Sequence, residues 1–569
     1  MKRAGVRSRK SGVGSLESGV GNSERRAIRT ELKRTLRSFG AARRAIFACL
    51  LLTAFSSLIF LSGCRTQSDA FVAVLDANPE TLDPLRGTDA SSERLRQLMF
   101  NTLVRKNAKF EYVGELAENI QTAPDNLSVT FTLRDGVTFH DGKPLTSADA
   151  RYTLETLLAS DSGKAATFFE GGAAGKQSYV AGIDTPDPRT MVVRLSKPWL
   201  QLLTNLVPVA IIPQGSADQQ KTSPNGTGAF KFVAYDESQQ MVDLEANETY
   251  WGGAPQIKKL RVRAIIDANT LQAEMRSGRV HLAPGYANLT PDSYRALEQD
   301  PALKVEKFPG ANIVYLAFNV ETEPLRDVRV RQAIAHAINR ESIVHDLQLD
   351  QARIAHSILP EESWAFAPGQ KYTFDLEQAK KILDEAGYRD PDGDGPQMRF
   401  PKPINFKISS ASTATRQYAQ VIQNSLKQIG VPVDIETMET VSLLAQLRNG
   451  QFQMTSSRWV GGNQDPVFLR DLFHSREVPT EARAGRNRSR YKNPELDRIL
   501  DEAASIPLDR EGDKAKALYT QAQDIISREL PMLPLWYPAT MVVARKNVGN
   551  IQIDASGDWD FVRKLTVTQ

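Results

Sequence analysis

Between residues 404 and 438 the chain reads INFKISS, then a stretch containing TRQYAQVIQNSLKQIG, then VPVDIETM. The flanking runs are β-branched and apolar, and the middle one has the spacing of an amphipathic helix. A strand, a helix and a strand this close in sequence join by a right-handed crossover, which lays the two strands parallel in one sheet. That sheet is expected to be largely parallel. Upstream, NIVYLAFNV (Asn312 to Val320) is a nearly continuous apolar run, as in a strand buried on both faces. It leads into VRVRQAIAHAINRESIV, where Val330, Ile334, Ala337 and Ile338 share one helical face.

The same alternation of short strands and helices runs through the rest of the chain, so the fold class is α/β, with no internal repeat and no low-complexity segment. VTFTLRDGVTFHDGKP (Val129 to Pro144) alternates on both sides of Asp135-Gly136 and predicts a hairpin. Thr146 then predicts an N-cap, with Asp149 at the capping-box position. SPNGTGAFKF (Ser223 to Phe232) opens a second block whose strands VDLEAN and KKLRVRAI flank the turn TYWGGAPQ, and NTLQAEMRSG starts polar and stops on glycine as a helix does. With 569 residues and 41% apolar content, two to four domains are expected.

Charge is unevenly placed. Residues 1 to 44 carry 13 Lys/Arg against 3 Glu, a local +10, so the formal +4 of the whole leaves −6 for the remainder. A nucleic-acid role is unsupported. Behind Arg43-Arg44 lies a 17-residue run without charge, Ala45 to Leu61, and then Ser62-Gly63-Cys64. Basic arm, apolar run and small-residue exit together predict a secretory signal. Leu61-Ser62-Gly63-Cys64 resembles the lipobox of bacterial lipoproteins, in which Cys64 becomes the lipidated first residue and tethers a water-soluble body to a membrane. The alternative is a transmembrane anchor, although the run sits at the lower limit for spanning. The other cysteine, Cys49, lies inside the discarded segment, so the mature chain can form no disulfide.

Catalytic and metal signatures are weak. Asp390 to Gly395 has the oxygen-rich spacing of a calcium loop, but Pro401 stands where a bidentate Glu belongs, so a solvated turn is the expectation. Six histidines make no H-E-x-x-H, and no G-x-S-x-G, Walker loop or G-x-G-x-x-G is present. No cofactor and no metal are expected. His140 and His474 read as hairpin and loop residues. Loop aromatics are more suggestive: Trp251, Trp364, Trp459 and Trp536 sit beside Gly or Pro or in turn-like stretches, where they either line a ligand cleft or plug their own loops onto the core.

ELAENIQTAPDNLSVTFTLRDGVTFHDGKPLTSADARYT, PNGTGAFKF, ANETYWGG, VYLAFNVETEPLRDVRVRQAIAHAINRESIV, AKKILDEAGY and RYKNPELDRILDEA together resemble the family 5 extracellular solute-binding proteins. These are the dipeptide-, oligopeptide- and nickel-binding components of bacterial ABC importers. The resemblance spans Asp76 to about Tyr537. It implies a two-lobe clamp like that of the periplasmic binding proteins, with lobe one at 71–313 plus 538–569, an extra subdomain at about 115–215, and lobe two at 314–537. Residues 1–63 would be leader and signal, and 64–70 a lipidated linker. The chain would cross between lobes near Phe318-Asn319 and near Pro531 to Trp536.

In peptide-binding members a segment similar to W-x-G-D-x-x-D-P presents its first Asp to the peptide's α-amino group. Here Trp459-Val460-Gly461-Gly462-Asn463-Gln464-Asp465-Pro466 keeps the Trp, the first Gly and the Asp-Pro, but Gly462 stands where that carboxylate belongs. The resemblance thus implies a ligand site at Trp459, Gly461, Gly462, Asn463 and Asp465, with Thr81, Leu82 and Trp364 as further cleft residues. Asp465 reaches the amine, or the ligand lacks one. The expected protein is a monomeric, membrane-tethered lipoprotein on the extracytoplasmic side that captures a small solute, a short peptide foremost, and hands it to ABC permease subunits. Rival readings are a sensing or chaperone-like lipoprotein without a transporter, and a secreted hydrolase.

Overall fold

The computed structural model describes residues 70–568 except 171–176, 200, 394, 462–463 and 481–484. The leader, the signal and Cys64 lie outside the described residues. Among the described residues no helix is long and apolar enough to cross a membrane.

The chain folds around two large mixed sheets. The first has seven strands, in the order Leu303–Phe308, Thr540–Arg545, Leu282–Pro284, Phe71–Leu75, Lys259–Ala264, Met241–Ala246 and Phe230–Asp236. Phe71–Leu75 (FVAVL) is parallel to both of its neighbours and wholly buried. Its alternation explains why: Phe71, Ala73 and Leu75 enter one apolar cluster, while Val72 and Val74 enter another on the opposite face. VDLEAN and KKLRVRAI pair antiparallel across TYWGGAPQ, as expected.

The second sheet has six strands, in the order Ala352–Ile354, Met532–Pro538, Ile313–Phe318, Met454–Trp459, Ile404–Ser409 and Val433–Met438. Ile313–Phe318 (IVYLAF) is again buried throughout, with alternate residues feeding two cores. The crossover over residues 404–438 is present and its strands are parallel. The sheet as a whole is not largely parallel, however, because three of its five pairings are antiparallel. A local crossover dictates only its own pairing; the strands beyond it arrive from remote parts of the chain.

A smaller four-stranded antiparallel sheet, Ala117–Thr122, Ser128–Leu133, Thr190–Leu195 and Val180–Asp187, packs with helix Ser147–Leu158 against the first sheet's core. The hairpin expected over 129–144 does not form. Ser128–Leu133 pairs instead with Ala117–Thr122 and Thr190–Leu195. Val137 and Phe139 are buried in the first sheet's core, which pulls the chain off the strand into a small loop closed by Thr138 and Pro144. The cap of the next helix is as predicted: the Thr146 amide and hydroxyl both donate to Asp149 Oδ2 at 2.8 Å.

The chain leaves the first sheet at Phe308 and enters the second at Ile313; it leaves the second at Pro538 and re-enters the first at Thr540. Both passages therefore differ from those expected at 318–319 and 531–536. The two connecting segments touch at Gly310, where a Cβ would collide with the Pro538 carbonyl oxygen. After Thr540–Arg545 the tail packs on the first sheet's core, where the Trp559 amide donates to Gln97 Oε1 at 2.8 Å.

Candidate functional site

The loop singled out by its Trp, glycines and Asp-Pro begins where the second sheet's strand Met454–Trp459 ends. Gly461 has φ +74, open space where a Cβ would sit, and an amide donating to Asn312 Oδ1 at 3.2 Å. Gly462 and Asn463 lie outside the described residues. The loop then turns back through Asp465, whose Oδ1 accepts the Val467 amide at 2.9 Å.

Asp465 joins the loop after Met454–Trp459 to residues packed on the first sheet. Its Oδ2 accepts the Thr204 hydroxyl at 2.8 Å and the Tyr112 hydroxyl, and those two hydroxyl oxygens lie 2.6 Å apart. Tyr112 and Leu203, the residue before Thr204, pack against the first sheet's core, so the carboxylate ties the loop of the second sheet to the first. Burial, and then the neighbouring Asp465 charge, push the Tyr112 phenol well above its ordinary range. Two further bonds cross nearby: the Trp364 amide to the Lys109 carbonyl at 3.0 Å, and Gln464 Nε2 to the Ser556 carbonyl at 3.5 Å.

Trp459 is half-buried and packed into lobe two. It stacks on Tyr315 (6.2 Å, 16°), meets Phe468 edge-on (5.3 Å), and carries the Arg488 guanidinium 5.4 Å above its ring.

Near the Asp465 junction a cavity of about 640 Å³ opens between residues packed on the first sheet and Gly461 and Gln464 of the loop. Its lobe-one wall is rich in charge. Glu93 holds Arg96 at 2.6 Å and pairs with Lys164, whose ammonium burial pulls down to about 8 despite that partner. Glu115 is raised by burial, although the Thr102 amide (2.6 Å) and hydroxyl (2.9 Å) and Asn101 Nδ2 (2.8 Å) all donate to it. Lys106 lines the cavity and lies 5.6 Å from the Tyr112 ring centre. Burial lowers its ammonium against the pull of Asp465 and Asp558. Asp554, Asp558 and Asp560 of the tail close the wall.

The other expected cleft residues are less exposed to a ligand. Leu82 is 7% exposed and sits in the lobe-one core, and Thr81 spends its amide on Ser92 Oγ (3.2 Å) and its hydroxyl on the Asp83 amide (3.0 Å). Trp364 packs edge-on against Tyr519 at 5.8 Å. Trp536 lies in a strand rather than a loop and is fully buried, while Trp251 Nε1 donates to Asn101 at 3.1 Å. His140 is fixed between Gly226 and Gly228, and His474 accepts the Arg476 amide at 3.0 Å. Sequence reasoning missed Tyr112, Thr204 and Lys106. Among the described residues no cluster of three or more His, Cys, Asp or Glu is placed to hold a metal.

Residues 111–479 match the family described as bacterial extracellular solute-binding proteins, family 5 Middle. The oligopeptide-binding protein AppA of Bacillus subtilis is 26% identical, over 86% of this chain and 89% of its own. The dipeptide-binding protein of Escherichia coli is 27% identical, over 87% and 94%. Among solved structures, NikA from Brucella suis in complex with Fe(III)-EDTA superposes with a TM-score of 0.75 at 23% identity, over 88% of this chain and all of that one, which fixes the fold. With that fold, and with a family match over well more than half its length, the chain belongs to the family 5 bacterial extracellular solute-binding proteins, which bind a solute rather than turn it over.

Proposed function

We propose that this protein is the solute receptor of an ABC importer on the outer side of the bacterial cytoplasmic membrane, and that its solute is a short peptide. The observation that carries the reading is the cavity of about 640 Å³ walled by lobe one and by the tip of the lobe-two loop. Its size falls in the range of small-molecule sites, and a solute held by both walls stabilises only the closed arrangement. Shifting a hinge equilibrium from 1:99 to 99:1 takes about 5.5 kcal/mol of differential affinity, which a few backbone hydrogen bonds and one charge pair supply. The hinge would be the paired passages at 309–312 and 539, with lobe one at 71–313 plus 538–569 and lobe two at 314–537. The names of the relatives support a peptide. So does the negative charge at Asp554 and Asp558, which line the cavity and offset the missing acid at Gly462.

The basic arm, the apolar run and Leu61-Ser62-Gly63-Cys64 support a signal cleaved before Cys64 and a lipid on that residue, leaving a monomeric receptor tethered beside its permease. The test is to express residues 66–569, weigh the purified protein under native conditions, and identify the solutes it releases. A family of short peptides is expected. A single non-peptide mass would refute the peptide assignment while leaving solute capture intact.

A further inference from the structure

A second cavity, of about 20 Å³, lies between strand Met532–Pro538, the segment that follows Ala352–Ile354 and helix Leu508–Glu529, and it shares no lining residue with the larger one. No Asp or Glu stands on its wall. Most of its polar side chains are spent on close neighbours. The Ser357 hydroxyl donates to Gln523 Oε1 at 2.6 Å, Gln523 Nε2 to the Ala365 and Tyr519 carbonyls at 2.8 and 2.9 Å, and the Tyr372 hydroxyl to the Ser527 carbonyl at 2.8 Å. Apart from the exposed Gln370, two are not spent. Arg340, 2% exposed, gives Nη1 to the Ala355 and Pro534 carbonyls (2.7 and 2.9 Å) and Nη2 to that of Tyr372 (2.7 Å). That leaves two of its five guanidinium hydrogens, one of them on Nε, and no acid pairs with it among the described residues. The half-buried His356 ring has no hydrogen-bond partner at either nitrogen among the described residues.

A buried charge is costly to keep without a counter-charge, and three carbonyl dipoles do not supply one. Arg340 and His356 line the same small space, and neutral imidazole always carries one N–H, so both offer donors there in either protonation state of the histidine. Burial, and then the charges of Arg340 and Lys371, pull His356 down to about 4 against the weaker pull of Glu341, which shows how positive the space is. A water needs about 10–15 Å³ of such space, so the cavity admits one occupant of about that size and excludes a peptide or a phosphate.

We infer that the cavity lined by Arg340 and His356 binds a monatomic inorganic anion, a halide such as chloride. The ion neutralises Arg340 and ties the segment Ala355 to Ile358 to Met532–Pro538, the strand from which the chain passes back to the first sheet. The site is separate from the solute cavity, so the inference goes beyond the solute-binding reading and does not depend on it. Water is the competing occupant: it fits the same space but brings no charge, and its own hydrogens need acceptors.

Full-length protein is melted in sodium chloride, sodium bromide and sodium gluconate at equal ionic strength, as wild type and as His356→Leu, and crystals grown in bromide are measured for anomalous scattering. Gluconate is too large for the cavity and serves as the control. Above the dissociation constant, each tenfold rise in halide should lift the melting temperature by about 1–2 °C over gluconate. A bromide peak should lie within hydrogen-bond reach of both Arg340 and the His356 ring. Halide should also raise the His356 titration, followed by NMR, above its value in gluconate, which a general salt effect does not do. The His356 ring has no hydrogen bond to lose, so His356→Leu should fold and lose most of the halide shift; should it fail to fold, the bromide peak and the titration of the wild type decide. Four results overturn the site: no anomalous peak between Arg340 and His356, equal melting in halide and gluconate, an unmoved His356 titration, or a halide shift kept in full by His356→Leu.

Discussion

Replacing Asp465 by alanine is expected to open the empty protein. Two bonds from Asp465 Oδ2 hold the lobes together, to the Tyr112 hydroxyl and, at 2.8 Å, to that of Thr204. The Oδ1 bond to the Val467 amide lies within lobe two and is made in either arrangement. A hydrogen bond to a charged group contributes about 1.5–3 kcal/mol. The two hydroxyls keep their mutual contact of 2.6 Å when the carboxylate leaves, and water re-solvates all three groups on opening. The lower end of the range then applies to each bond, so the pair holds the closed arrangement by about 3 kcal/mol, or about 150-fold in the opening equilibrium. Small-angle X-ray scattering of solute-free protein is the assay, and the radius of gyration of Asp465→Ala should exceed that of wild type.

Tyr112→Phe should give about half the effect, and should add nothing on top of Asp465→Ala because the two changes remove one interaction. The pH dependence has a definite sign. The Tyr112 phenol is raised in the fold, so its contribution is complete below its ordinary value of about 10 and is lost only as pH climbs beyond it. Scattering should hardly change between pH 7 and 9. Identical scattering profiles for wild type and Asp465→Ala would refute the view that this carboxylate latches the lobes, and would return it to the role of a ligand contact.

Gly310→Ala should force the two passages between the lobes apart, because the added Cβ meets backbone rather than a movable side chain; overpacking of this kind costs about 1–3 kcal/mol, read as a lower urea midpoint, together with altered scattering. Arg331 is 3% exposed and donates to the carbonyls of Leu325 (2.7 Å), Arg326 (3.0 Å), Glu529 (3.1 Å) and Leu530 (3.1 Å), so Arg331→Met should destabilise by at least about 3 kcal/mol, with denaturant slope unchanged. Burial pushes His140 down to about 4, and its Nδ1 already accepts the Gly226 amide while Nε2 donates to the Gly228 carbonyl, leaving no site for a second proton. Its depressed value means stability is complete above its unfolded value of about 6.5 and falls as pH drops toward 4, so His140→Gln should flatten the acid limb of the stability profile by up to about 3 kcal/mol.

What the sequence disclosed and what it concealed divide by the range of the interaction involved. Ile313–Phe318 announces itself as a central strand because burial on both faces demands an unbroken apolar run, a demand met within six residues. The Thr146 cap was equally plain, its partner being three residues on. Pairing was not: the alternation of Ser128–Leu133 identified a strand but not its neighbour Thr190–Leu195, about sixty residues away. The loop at 459–466 was found by its resemblance to the family's W-x-G-D-x-x-D-P segment, yet the use made of Asp465 depends on Tyr112 and Thr204, which lie 353 and 261 residues upstream. Arg486, Arg488 and Arg490 show the limit most sharply. In sequence they are three equivalent cations in a row, and only the fold gives Asp471 to one and Glu321 to another. Nothing local could have marked the third as unpaired, because being unpaired is a property of everything the fold brings around it.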